Sequence, residues 1–549
     1  MRDDIDEGCC DAAPRKGVAS FMRRFAADES GIFIILFAIS FSAMALAAAI
    51  AIDYARVSLE HAEMQRALDA AALAAAHRLG ASDEAETGPA AAMAFYKANV
   101  PAGSSLVIEE LKLDAEAGEV VISSGGSIAT SFLSAFGIFN VNVDAGTKVV
   151  RGGGGNGGGG TAKTVEVALV LDNSGSMAGG PITELKAAAH KFVGTVFVGA
   201  AGNDKVRVGI VPFAGSVNVG AQRRDEGWID TDGLSPVHHE NFAEPRSRFA
   251  LFDQLGTPWR GCVEARPGSH DVTDTPPSSA DPATLFVPMF APDEPDKGNA
   301  GGASYPNNYL NDFGGSCPVP EQVCIDYNTR RERCDEYGPA PLTRAVAQAR
   351  MCKYDGVSPP AGLGPNYNCT SAPLLDLTTS KEDVVSAIDG MVANGFTNIG
   401  EGLMWGWRLL SPGAPFTQGR PGNDAHNQKV IVLMTDGENT YSRYSSNHNW
   451  TFYGAFGYAA KGRLGPTNSG TALLNQMNAK TRTACANAKA NGITVYTIAF
   501  RLENNAATRA LLAECATDSS KAFTASDGTM LENTFQAIGR EITLLRVAG

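Results

Sequence analysis

The chain has 549 residues, 44% of them hydrophobic, and 59 acidic against 45 basic side chains give it a formal net charge of −14. Such a length exceeds one ordinary core, so two or three domains are the prior. The acidic balance excludes a protein built mainly to grip nucleic acid, because neutralising phosphates requires clustered Lys and Arg.

Residues 1–30 read as a short polar tail carrying Arg15, Lys16, Arg23 and Arg24. From Gly31 to Ile52 no residue is charged, which is enough length for a helix to cross a bilayer. One span over 31–52 is therefore expected. The basic residues before it favour a cytoplasmic amino terminus with the bulk of the chain outside, although Arg56 softens the bias. The run exceeds the apolar region of a cleaved signal peptide, and the helical pattern continues into Asp53-Tyr54-Ala55-Arg56, so the segment reads as a retained anchor. The helix runs on through Leu59, Met64, Leu68, Ala71 and Leu73 with small residues on most faces, a surface suited to packing against other helices.

A short helix over 89–97 and strand-like runs at 106–113, 119–123 and 141–150 predict a small α+β domain, so that 53–150 comprises the helical extension and this domain. Residues 151–161 are nearly all glycine, a flexible linker.

A larger module is expected over 162–545. Val165 to Leu171 is apolar at nearly every position, as in a strand buried on both faces. The polar turn Asp172-Asn173-Ser174-Gly175-Ser176 follows, and then a helix that opens near Pro181. Ligands of open α/β sheets sit at the carboxyl ends of strands, and here a carboxylate and two hydroxyls occupy that end at alternate positions. Oxygen donors suit the hard cations Mg²⁺, Mn²⁺ and Ca²⁺.

A second strand is predicted at 206–211, after which the α/β pattern is interrupted by a long stretch rich in Pro, Gly, Asn and Asp. We read 217–373 as an irregular insertion on the outer surface. The pattern resumes with Leu374 to Leu377 and a helix over Lys381 to Met391. It continues with a helix over Asn398 to Leu410, a strand over Lys429 to Leu433, a helix over Gly470 to Ala490, a strand over Gly492 to Phe500 and a final helix over Thr529 to Leu545. This alternation specifies an α/β class, a doubly wound, Rossmann-like sheet.

The insertion holds Cys262, Cys317, Cys324, Cys334, Cys352 and Cys369, while Cys485 and Cys515 flank the last predicted strand. An even number on the outward side favours disulfides, and the absence of any Cys-x-x-Cys pair disfavours zinc. Six cysteines allow about 15 pairings, so only Cys485 with Cys515 is assigned. Cys9 and Cys10 fall in the cytoplasmic tail and are expected to be reduced. His238-His239-Glu240, Asp230 to Gly233 and Asp293 to Gly298 read as exposed, solvated turns, and Asn449-Trp450-Thr451 matches a glycosylation sequon.

Around Asp172, Ser174 and Ser176 the chain resembles a von Willebrand factor A domain, whose metal-ion-dependent adhesion site carries Asp-x-Ser-x-Ser. The resemblance implies a threonine and a second aspartate from later loops, for which Thr397 in Gly395-Phe396-Thr397-Asn398 and Asp436 in Met434-Thr435-Asp436-Gly437 are the candidates. It further implies that Ser174 and Ser176 bind the cation directly, that Asp172 and Asp436 often act through water, and that Thr397 switches between the two modes. A cation held largely by neutral hydroxyls keeps its positive charge and attracts a partner's carboxylate. Upstream, Arg23-Arg24, Asp28-Glu29-Ser30-Gly31, Asp53-Tyr54-Ala55-Arg56 and Ala67-Leu68-Asp69-Ala70-Ala71-Ala72-Leu73-Ala74 resemble the amino-terminal segment of Tad-type (tight adherence, Flp pilus) assembly proteins, and the combination with an A domain resembles the large G-type member.

The resemblance implies a single-pass protein of a bacterial inner membrane, not an enzyme. Its A domain would bind a pilus or envelope protein through Mg²⁺, or Mn²⁺ or Ca²⁺. One alternative is a structural envelope component in which the metal only stabilises the fold. A further one is a hydrolase using Ser174, Ser176 or the metal, which lacks a Gly-x-Ser-x-Gly elbow and a histidine near these motifs in sequence. The sequence sets no oligomeric state.

Overall fold

The computed structural model describes residues 32–78, 93, 96, 107–114, 119–150, 164–198, 204–303, 305–318, 320–441, 443–444, 447–465 and 467–547. The tail 1–30 with Cys9 and Cys10, the glycine run 151–161, and all of the helix expected at 89–97 except Met93 and Tyr96 lie outside the described residues. The chain divides into two compact units, Met1–Gly158 and Gly159–Gly549.

In the first unit a helix, α1 (Ile32–Arg78), is followed by an antiparallel meander of β1 (Val107–Asp114), β2 (Glu119–Ala129) and β3 (Asn140–Val150). Alternation along β2 turns Val120 and Ile122 to one face, where they meet Met64, Ala67, Leu68, Ala71 and Ala72 of α1. One face of the helix, with the small residues Ala67, Ala71 and Ala72, therefore packs on this sheet. Asp53 joins the two layers by accepting the backbone N–H groups of Ser131 (3.0 Å), Phe132 (2.9 Å) and Leu133 (2.6 Å). Burial opposes the charge of Asp53, but these bonds and Arg56 outweigh it and hold the carboxyl below its usual range. Among the described residues no helix is long and apolar enough to cross a membrane. Most side chains of the apolar run 31–52 fall outside them.

The second unit opens with β4 (Thr164–Asp172), α2 (Gly180–Val196) and β5 (Val206–Phe213). The insertion then contributes β6 (Val217–Asn218), α3 (Arg248–Gln254), β7 (Cys262–Val263), the hairpin β8 (Gln322–Asn328) and β9 (Arg333–Pro339), and α4 (Arg344–Ala349). Next come β10 (Leu375–Thr378), α5 (Lys381–Asp389), α6 (Ile399–Leu410), β11 (Asn427–Thr435), α7 (Gly470–Ala490), β12 (Thr494–Phe500), α8 (Ala506–Cys515), β13 (Ala522–Ala525) and α9 (Gly528–Val547). The strands line up as β13-β12-β11-β4-β5-β6-β7, with β10 also on β5. Pairing is parallel from β13 to β5 and antiparallel for β6, β7 and β10.

Strand β4 is central and buried along its length, and its side chains alternate between two cores. Val165, Val167, Leu169 and Leu171 pack toward α2, α5 and α9, while Ala168 and Val170 pack toward α6, α7 and α8. A sheet covered on both faces is the doubly wound arrangement.

The insertion is not the peripheral, irregular excursion that its composition suggests. Trp228, Phe249, Phe252, Trp259, Phe286 and Phe290 belong to the same buried cluster as Phe213 and Trp405, and they cover what would otherwise be the open side of α6. Their apolar contacts are long-range, so no local period announces them. Three bonds, Cys262–Cys369, Cys317–Cys352 and Cys324–Cys334, pin the insertion, and Cys485–Cys515 ties α7 to α8.

The turns expected to be solvated are so only in part: Asp232, Lys297 and Gly298 are exposed, whereas Asp230, His238, Asp293 and Glu294 are buried. Asp230 accepts from Leu234 N (2.7 Å), Ser235 N (2.9 Å) and His238 Nδ1 (2.7 Å), and His238 Nε2 accepts from Arg248 N. Arg248 pairs with Glu264, which also takes Arg463, and Arg463 reaches Glu240 as well. Asp293 pairs with Lys353 at 2.7 Å, both side chains fully buried. Buried charges persist only when paired. These residues looked loop-like because their partners lie far away in sequence. Asn449 is likewise buried and bonded to Gln348 and Glu294, which removes the sequon from the surface.

Candidate metal centre

Strands β4 and β11 are in register, with Leu171 opposite Met434. Their carboxyl ends therefore bring Asp172 beside Thr435 and place the turn after β4 against the turn after β11. Asp172 is fully buried and held on both oxygens: Oδ1 accepts Ser174 N at 2.7 Å and Oδ2 accepts the Thr435 hydroxyl at 2.5 Å. Ser174 Oγ and Ser176 Oγ lie 2.9 Å apart, and Ser176 Oγ donates to Asp436 Oδ1 at 2.5 Å.

Thr397 enters from the loop before α6. A Cβ built on Gly437 would lie 3.5 Å from Ser176 Oγ and 3.6 Å from Thr397 Oγ1, so both hydroxyls border the same space. Four backbone bonds fix this loop: Asn394 N to Asn173 O (2.8 Å), Gly175 N to Gly395 O (2.9 Å), Asn398 N to Ala214 O (2.9 Å) and Thr440 N to Thr397 O (2.8 Å). Asn398 caps α6 through Glu401 N, and Asn439 Oδ1 accepts Ile399 N. The structure thus brings together Asp172, Ser174, Ser176, Thr397 and Asp436 from three loops.

Burial, then the charge of Asp436, pushes the Asp172 carboxyl up to about 6, with the Thr435 and Ser174 bonds only partly offsetting them. Burial also raises Asp436, against its bond from Ser176. Two carboxylates held close at the edge of a buried strand are poorly compensated by neutral hydroxyls alone, and this donor set of oxygens fits a hard cation. Among the described residues no group of three or more His, Cys, Asp or Glu could hold a metal. Any cation here would rely on hydroxyls.

Sequence reasoning missed Thr435 and Asn439, whose roles are to orient Asp172 and to tie the β11 turn to α6. Thr435 was legible only as a polar residue ending an apolar strand. Asn173 is also buried, and both polar atoms of its side chain lack a hydrogen-bond partner among the described residues.

Residues 31–78 match the family model Tad, described as "Putative Flp pilus-assembly TadE/G-like", and residues 166–227 match VWA, the von Willebrand factor type A domain. No curated protein matches the chain by sequence. Among solved structures, the pilus adhesin SpaC from Lactobacillus rhamnosus GG is 13% identical, with a TM-score of 0.31 over 80% of this chain and 35% of its own. The vWF domain of the type V pili tip protein Mfa5 from Porphyromonas gingivalis is 11% identical, with a TM-score of 0.31 over 70% of this chain and 96% of its own. The PilB minor pilin from Streptococcus sanguinis is 13% identical, with a TM-score of 0.31 over 80% of this chain and 79% of its own. The chain spans about a third of the length of SpaC, and likeness at this level says nothing of shared function. The two family matches concern parts of the chain: a TadE/G-like segment over 31–78 and, separately, a von Willebrand factor type A match over 166–227.

Proposed function

We propose that this is a membrane-anchored pilus-assembly or adhesion protein whose A domain grips an acidic side chain of a pilus or envelope partner through a divalent cation. The observation that carries the reading is the convergence of Asp172, Ser174, Ser176, Thr397 and Asp436 on one space at the carboxyl end of the sheet. The TadE/G-like match over 31–78 supports the pilus setting, and the uncharged run 31–52 with the basic residues before it supports a single span with a cytoplasmic amino terminus.

Ser174, Ser176 and Thr397 would contribute neutral oxygens, and Asp172 and Asp436 the compensating charge. Bound there, Mg²⁺, or Mn²⁺ or Ca²⁺, supplies a positive centre for an incoming carboxylate. Asp172 is oriented by Ser174 N and Thr435, so its geometry does not depend on the partner. The serines bond to each other and Ser176 to Asp436. No histidine bonds to either serine among the described residues, so a hydrolase reading gains no support from the geometry.

The test is calorimetric titration of Mg²⁺ and Mn²⁺ into the detergent-solubilised, oxidised chain and its Ser176→Ala variant, with circular dichroism as a check on folding. Binding in the parent that the variant loses while folded is the expected result. Equal binding in both sinks the assignment. If metal binds but no acidic ligand follows, the cation only stabilises the fold.

A further inference from the structure

Beside the metal turn the insertion builds a cleft of about 390 Å³, within the range of ordinary ligand sites. Its lining includes two hydrogen-bonded pairs, Thr370 with Asn394, which we call the inner end, and Arg260 with Asn366. The inner end abuts the candidate metal centre through consecutive bonds. The Thr370 hydroxyl donates to Asn394 O (2.8 Å), Asn394 N donates to Asn173 O, and Gly175 N donates to Gly395 O. Gly395 has φ +94°, and a Cβ there would run into the Thr370 hydroxyl, so the insertion and the metal loop are fitted to one another.

The wall is held rigidly. Asn366 accepts Arg260 N and donates to Pro258 O, Asn368 donates to Tyr453 O at 2.8 Å, Asn307 brackets Gly364 on both its N–H and C=O, and Cys369 is bonded to Cys262. Among the described residues no carboxylate lines the cleft. Its one charge is the guanidinium of Arg260, which is exposed and has no hydrogen-bond or ion-pair partner among the described residues, and the exposed Asn394 amide is equally free. In a chain of net charge −14, a free cation in a preorganised polar cleft is a recognition element for an acidic group.

We infer that this cleft is a second anchoring site for an acidic peptide segment: the metal centre holds one carboxylate, the flanking backbone lies against the Asn394 amide, and Arg260 takes a second carboxylate a few residues away. This rests on the proposed metal-dependent carboxylate binding and adds its specificity.

Fluorescence anisotropy with the solubilised full chain in Mg²⁺ tests it, using labelled glycine peptides that carry one Asp, or two Asp separated by one to four glycines. One spacing is expected to bind roughly two- to fivefold more tightly than the single-Asp peptide at low salt, as an exposed Arg–carboxylate pair provides. Arg260→Gln abolishes that preference and leaves the affinity for Mg²⁺ and for the single-Asp peptide unchanged. Single-Asp binding with no gain from a second Asp at any spacing, or a gain that survives Arg260→Gln, overturns the cleft while leaving the metal reading intact. Absence of Mg²⁺-dependent binding of the single-Asp peptide overturns both.

Discussion

Replacing Cys262 and Cys369 by alanine measures how strongly the insertion is held to the sheet. The bond joins residues 107 apart in sequence, whereas Cys324–Cys334 in the β8–β9 hairpin joins residues 10 apart. A crosslink stabilises chiefly by restricting the unfolded chain, with a term that grows as the logarithm of loop length. That gives about 4.8 kcal/mol for the long loop and about 2.7 kcal/mol for the short one. Cys262 and Cys369 are also buried, at 0% and 6% exposure, so their loss leaves a small cavity that costs about 1 kcal/mol more. The hairpin cysteines have no such core around them. Urea unfolding of the oxidised full chain, compared with C262A/C369A and C324A/C334A, should therefore show a loss of about 5–6 kcal/mol for the first and under about 3 kcal/mol for the second. If the hairpin variant loses as much as the other, the insertion is not integral to the main core.

The other predictions concern the site, a glycine and a buried acid. Ser176→Ala should abolish Mg²⁺ binding by calorimetry with native circular dichroism. Gly395→Ala forces a side chain into the left-handed region and against Thr370. It should cost about 1–2 kcal/mol for the backbone and more for the contact, and only the second part should be recovered by adding Thr370→Gly, as read by denaturant midpoints. Burial pushes Glu294 from 4.5 up to about 7, against the bonds from Asn307 and Asn449. The raised folded value means that its contribution is complete below pH 4.5 and is lost as pH rises through 7. At ~1.36 kcal/mol per unit, Glu294→Gln should gain about 3 kcal/mol on the parent between the two limits, and a stability difference that does not vary with pH refutes this.

What could be read from the sequence was what local pattern encodes. Val165 to Leu171 is almost wholly apolar because β4 is covered on both faces, and Asp172, still buried, ends the strand. The helix at 399–410 was recognisable from its apolar content, but the material that buries its far side was not. Trp228 and Phe286 pack at a tilt against Trp405 from more than a hundred residues away, and neither lies in a periodic run. The same reason hid the buried state of Asp230, His238 and Asp293, since a charged residue reads as solvated unless its partner is near in sequence. The helix at 506–515 and the strand at 522–525 were missed because they are short and their apolar residues few, and their placement is decided by the edge of β12. Cys485–Cys515 was legible because its partners flank one predicted strand. The three insertion bonds were not, because their pairing follows from tertiary packing.

The insertion and the candidate metal centre form one construction. Helix α6 starts two residues after Thr397 and is buried at almost every position, including Glu401 and Arg408. Phe286 from the insertion packs on Trp405 and under the Arg408 guanidinium, so the insertion fixes the helix. The helix in turn fixes its amino-terminal loop through the Asn398 cap and the Asn439 bond to Ile399, and that loop sets the position of the Thr397 hydroxyl. Residues 217–373 therefore act on the site twice, by holding one of its three loops from behind and by walling it from the side with Thr370 and Arg260. Trimming the insertion to obtain a minimal A domain would expose the apolar face of α6 and release Thr397. The candidate site cannot be separated from the segment that looked most dispensable in the sequence.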